Sequence, residues 1–130
     1  MTNYVEKLKQ KNGFRMLSGV SEEAVEQAEE KLALKFSDEY KEFLFSCGVA
    51  MADGHELVGL GASKRLDVVE NTLDERKMNS KVPMELYVVE QTNIDGITIW
   101  QSGTGEVFRV DSNEKPVKIY NSLFEYIDLE

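Results

Sequence analysis

The chain is poor in the residues that most often carry chemistry: its 130 residues include one cysteine, Cys47, one histidine, His55, one tryptophan, Trp100, and two prolines. A lone cysteine cannot close an internal disulfide, which sets aside the disulfide-stapled secreted scaffolds and points to a reducing compartment, the cytoplasm. With one histidine, any Ser-His-acid or Cys-His arrangement must pass through His55. A closed zinc site needs four ligands, normally thiolates or several imidazoles. Asp53, His55 and Glu56 offer three candidates in one stretch, which we read as an ordinary polar loop, so neither a metal nor a cofactor is expected. Long apolar runs are missing too. Nothing approaches the ~20 residues of a membrane span, and the start Met1-Thr2-Asn3-Tyr4-Val5-Glu6-Lys7 has charges where a signal peptide needs an apolar core.

Positive charge is the next scarcity. Fifteen basic residues against 24 acidic ones give a net charge of −9 at pH 7. Such a surface repels phosphate backbones and anionic lipid, so neither nucleic acid nor membrane is an expected partner. It attracts basic proteins and speeds their encounter, although acidity also serves solubility. Against these absences stands an ordinary globular balance, 42% hydrophobic and 30% charged, in a length suited to a single domain over residues 1–130.

Periodicity divides the chain in two. Tyr4, Val5 and Leu8 share one side of a short helix that stops at Asn12-Gly13. Ser21 caps a second helix with Val25, Ala28 and Leu32 inward and Glu22, Glu26, Glu29 and Glu30 on what reads as a solvated face. Ser37 caps a third, in which Tyr40, Phe43, Leu44 and Cys47 recur at i, i+3, i+4 and i+7 until Gly48. Cys47 is therefore read as a small buried hydrophobe. A first strand over Glu56–Leu60 follows Asp53-Gly54, and Ser63 is read as the cap of a fourth helix with Leu66, Val69 and Leu73 inward. From Leu86 the pattern becomes strand-like: Leu86–Val89, Ile97–Trp100, Val107–Val110 and Val117–Tyr120, joined by Gly-, Asn- and Asp-rich turns. Ser122-Leu123-Phe124-Glu125 has the form of a capping box and opens a closing helix. The expected fold is α+β: a mainly antiparallel sheet of about five strands, flanked by N-terminal helices and a C-terminal helix.

Other glycine and acid patterns reduce to turns. Gly59-Leu60-Gly61 lacks the third glycine and the parallel setting of a dinucleotide loop, and reads as close backbone packing. Gly103-Thr104-Gly105 has no Lys-Ser/Thr and lies between strands. Asp111-Ser112-Asn113 starts like a calcium loop, but Pro116 stands where that loop needs glycine.

The order of elements, with Ser21-Glu22-Glu23 through Leu32, Phe36-Ser37-Asp38-Glu39-Tyr40-Lys41-Glu42-Phe43-Leu44, Gly48 and the closing Ser122–Ile127, resembles the SUKH superfamily. That group comprises bacterial immunity proteins and fungal cell-wall synthesis regulators. The resemblance covers nearly the whole chain, with Lys35-Phe36-Ser37 where the family often has Leu-Pro. It implies a protein-binding domain without enzymatic activity that neutralises a toxin made by the same strain. Such toxins are often nucleases, hence basic, and an acidic antidote would suit them. The alternative is an intracellular scaffold or regulator of the same fold. Candidate contact residues are the loop Asp53, His55 and Glu56, the stripe Asp67, Glu70 and Asp74 on the fourth helix, which otherwise reads as a solvated face, and Trp100, which strand alternation places outward as an interface anchor if Ile97 and Ile99 pack inward and in the core if the hairpin bulges.

Overall fold

The computed structural model describes residues 3–127; residues 1, 2 and 128–130 lie outside the described part. Helix α1 (Asn3–Lys9) buries Tyr4, Val5 and Leu8, the side marked by periodicity. Strand β1 (Arg15–Met16) follows. Helix α2 (Glu22–Leu32) starts where Ser21 Oγ accepts a hydrogen bond from Ala24 N, satisfying a donor that the helix leaves free. It ends at Ala33, whose positive φ of 56° turns the chain back so that its N–H reaches Glu30 O. Helix α3 (Asp38–Ser46) repeats the device, with Ser37 Oγ accepting from Tyr40 N at 3.0 Å. Tyr40, Phe43, Leu44 and Cys47 are all fully buried, as their spacing predicts.

The sheet is larger than expected. It has seven strands in simple sequential order, each antiparallel to the next: β1, β2 (Ala50–Ala52), β3 (His55–Leu57), β4 (Tyr87–Gln91), β5 (Thr98–Gln101), β6 (Val107–Val110) and β7 (Val117–Tyr120). The five expected strands are present. The two extra ones, β1 and β2, run two and three residues, too short for alternation to show. Asp53 and Gly54, both at positive φ, make the tight β2–β3 turn, a geometry that an Asp-Gly pair adopts readily. His55 is therefore the first residue of a strand, paired with Ala52, and not a loop residue.

The fourth helix begins later than expected. Ser63 makes no side-chain cap; its carbonyl closes a 3-10 turn over Lys64–Leu66 by accepting from Leu66 N. Gly59 then pins this segment, donating to Leu66 O and accepting from Val68 N, each at 2.8 Å. Helix α4 (Val68–Met78) starts only after this clamp, with Asp67 as its cap. Its inner face is Val68, Val69, Asn71 and Thr72, while Leu73 is exposed and Leu66 only partly buried. Thr72 is tied to the sheet on this face, its Oγ1 accepting from Val88 N at 3.0 Å beside a bulge in β4 between Val88 and Glu90. Gly59 itself packs on Gly48 so closely that a Cβ would sit 1.7 Å from the Gly48 carbonyl oxygen.

At the centre, Tyr40, Phe36 and Tyr87 meet with ring centroids 4.8–5.1 Å apart. Both phenols of this cluster have a partner: Tyr40 Oη donates to Val58 O at 2.7 Å and Tyr87 Oη to Gln101 Oε1 at 2.8 Å. Helix α5 (Leu123–Tyr126), capped by Ser122, closes the described chain. No described helix is long and apolar enough to cross a membrane.

Candidate partner-binding site

Three of the candidate residues come together. Glu56 on β3 and Glu70 and Asp74 on α4 line one cleft of about 380 Å³, with Lys64 and Arg65 at its mouth. Arg65 grips Glu56 through two parallel bonds, Nη1 to Oε1 at 2.9 Å and Nη2 to Oε2 at 3.1 Å, which holds the Glu56 carboxyl below its ordinary range. Three carboxylates against two cations leave little net charge there. Asp67 is committed differently: its Oδ2 accepts from Glu70 N at 3.0 Å as the cap of α4, so it does not extend the Glu70–Asp74 stripe. Asp53 lies exposed at the tip of the β2–β3 turn, with its N–H donating to Asn12 O.

His55 points to a different centre. Its Nδ1 is 3.0 Å from Oε1 of Glu90, a carboxylate only 5% exposed in the middle of the sheet. Glu90 also accepts from Tyr126 Oη at 2.6 Å and from Glu56 N at 2.8 Å. The bond to Glu90 raises the His55 pKa, against the opposing effect of burial. Burial, then Glu90, raises that of Tyr126, so the phenol stays a donor. The arrangement ties β3, β4 and α5 together through one buried charge. His55 has no hydrogen bond to a serine or cysteine among the described residues, and buried Cys47 lies in the helical core. No described group of three or more His, Cys, Asp and Glu side chains is placed to hold a metal.

The outward position expected for Trp100 is not observed. Trp100 is fully buried, its Nε1 donating to Thr98 Oγ1 at 2.7 Å. All four residues of β5 are buried, so this interior strand is covered on both faces and alternation no longer separates inside from outside.

A larger concavity lies elsewhere, a groove of about 1450 Å³ along α2 and α3 that also touches α1 and α5. Seven carboxylates line it, Glu22, Glu26, Glu29, Glu30, Asp38, Glu39 and Glu42, against Lys7, Lys35 and Lys41. Two of the seven hold structure. Glu29, expected on the solvated face, is 6% exposed, because its Oε2 accepts from Phe36 N at 2.9 Å and fastens the link between the two helices. Glu39 reaches the start of α5, accepting from Leu123 N at 2.8 Å and Phe124 N at 3.0 Å, where free helix N–H groups favour a negative charge. Glu22, Glu26, Glu30 and Glu42 form no ion pair among the described residues. The groove also has an apolar component, with Val25, Leu34, Phe124 and Phe45 along it, and Phe45 is 41% exposed.

Periodicity found the rim of this groove but not the groove, because a row of glutamates on one helix reads the same whether it faces water or a second helix. Glu90 carries little sequence signal, since it directly follows the apolar run Leu86–Val89, where a polar residue at a strand's end is ordinary. Glu39 carries none, since its first-turn position already accounts for it.

The model of one protein family, described as SUKH_5, SMI1-KNR4 cell-wall, matches the chain over residues 1–130. No curated protein matches it significantly.

Proposed function

The chain belongs to the SMI1-KNR4 cell-wall family of the SUKH superfamily, and from that premise we propose that it is an immunity protein that neutralises a basic toxin, of the nuclease type, by stoichiometric binding in the cytoplasm. It turns over no substrate and needs no cofactor. The observation that carries this reading is the groove along α2 and α3, where seven carboxylates face three lysines beside the exposed Phe45. A site built to hold phosphates is basic, and an acidic groove seated over it blocks substrate while the opposite charges speed the encounter. The Glu56–Glu70–Asp74 cleft and Asp53 add acid on a second part of the surface, with Arg65 and Lys64 largely offsetting it.

The rival is a scaffold or regulator of the same fold, which the family's cell-wall description favours. A tagged pull-down from native cells at low salt separates the two. The antidote reading expects one stoichiometric basic partner that harms cells lacking this protein, released as salt rises. Recovery of housekeeping proteins only, or a partner harmless on its own, supports the scaffold instead.

A further inference from the structure

Resting on the antidote reading, a finer statement comes from how the groove is built. Glu22, Glu26 and Glu30 repeat at i, i+4 and i+8 along α2, a row of about 12 Å with charges about 6 Å apart. Like charges at that spacing cost a helix a few tenths of a kcal/mol per pair, and no described cation pairs with any of the three. On α3, Asp38 and Glu42 repeat the i, i+4 spacing along the same groove. Phe45 joins them one turn further on with 41% of its surface exposed. At the base is Tyr4, 5% exposed, whose hydroxyl has no hydrogen-bond partner among the described residues. Glu39 and Glu42, both groove residues, are among the charges that bear on that phenol.

We infer that this groove seats a cationic amphipathic helix of the partner protein, with Lys or Arg side chains toward the two carboxylate rows and an apolar ridge on Phe45. The charge pattern requires basic residues about 6 Å apart, which positions i and i+4 of a helix supply. A helix satisfies its own backbone donors and acceptors, as a segment lying on apolar surface must, and docking a helix by its apolar face is an established mode of recognition.

The test uses the full-length protein and a fluorescent peptide of about 14 residues made of Lys and Leu, with Leu at helical spacing, beside a scrambled peptide of equal composition. Anisotropy at low salt should show the amphipathic peptide binding about tenfold more tightly than the scramble. The double variant E26K/E30K should lose about tenfold, and E70K/D74K, in the other cleft, less than about twofold. E26Q/E30Q serves if the lysine pair fails to fold, and Phe45→Ser should weaken the amphipathic peptide but not the scramble. Equal binding of both peptides, or equal loss in E26K/E30K and E70K/D74K, overturns the inference, since either result is general charge attraction. So does a dimer that dissociates in E26K/E30K, which would make a second copy the occupant. Survival of toxin-expressing cells separates the two levels. If wild-type protein and E26K/E30K protect equally, the groove assignment fails and the antidote reading stands. If the variant pattern of peptide binding holds but wild-type protein protects against no basic toxin of its strain, the antidote reading fails and the groove assignment stands.

Discussion

Replacing Glu39 by alanine removes the acceptor that joins α3 to the last helix. Three bonds are lost: from Leu123 N at 2.8 Å, from Phe124 N at 3.0 Å and from Gln101 Nε2 at 2.9 Å. Gln101 keeps its bond to Gly105 O at 3.0 Å, so the damage falls on the two backbone donors. Hydrogen bonds to a charged group contribute about 1.5–3 kcal/mol each, and the half-buried setting lets water replace part of that, which places the loss at about 2–4 kcal/mol. Glutamine keeps one acceptor oxygen but not the charge at the helix start, and should cost about half as much. The single tryptophan, Trp100, is fully buried and reports unfolding by its fluorescence, so urea titrations at neutral pH measure both variants against the parent. A loss below about 1 kcal/mol for alanine, or equal losses for alanine and glutamine, would refute the reasoning that this carboxylate holds α5.

Other consequences follow from particular contacts. The His55 pKa is raised in the folded protein from its ordinary 6.5 by its bond to Glu90. That contribution is thus full below the ordinary value and disappears as pH rises through the folded value. Urea midpoints measured across this range should therefore fall more steeply with pH for the parent than for His55→Asn, and parallel curves would contradict the assignment. Gly59→Ala must displace backbone, because its Cβ would lie 1.7 Å from Gly48 O, and a loss of about 3 kcal/mol or more in the same titration is expected. Arg65→Ala breaks a bidentate but exposed pair with Glu56 and should leave the urea midpoint nearly unchanged, a clear drop showing that the cleft depends on it.

The sequence was most informative where one local rule acts alone. Ser21 and Ser37 mark the starts of α2 and α3, and Tyr40, Phe43, Leu44 and Cys47 mark a buried face, because caps and helical spacing are short-range. The start of α4 is not legible locally, because Ser63 has the composition of a cap while the Gly59 clamp, a contact across the fold, postpones the helix to Asp67. The burial of Trp100 is not legible either, because alternation tells inside from outside only when one sheet face is wet. The acidic residues divide likewise. Glu29, Glu39 and Glu90 hold structure through partners distant in the chain, which no local pattern marks. Of the seven candidate contact residues, Glu56, Glu70 and Asp74 share a cleft because β3 and α4 lie on either side of the Gly59 clamp. The α2–α3 groove needed the packing of two helices to become visible.

The central claim, that this acidic protein shields its own cell from a basic toxin, is tested most directly by survival. Toxin domains from the same strain are induced one at a time in cells with and without this protein. The account predicts that one basic toxin kills only the cells lacking it, and that protection saturates once the two proteins are equimolar. Protection against none, or protection already complete when this protein is far below the toxin in amount, would contradict stoichiometric neutralisation.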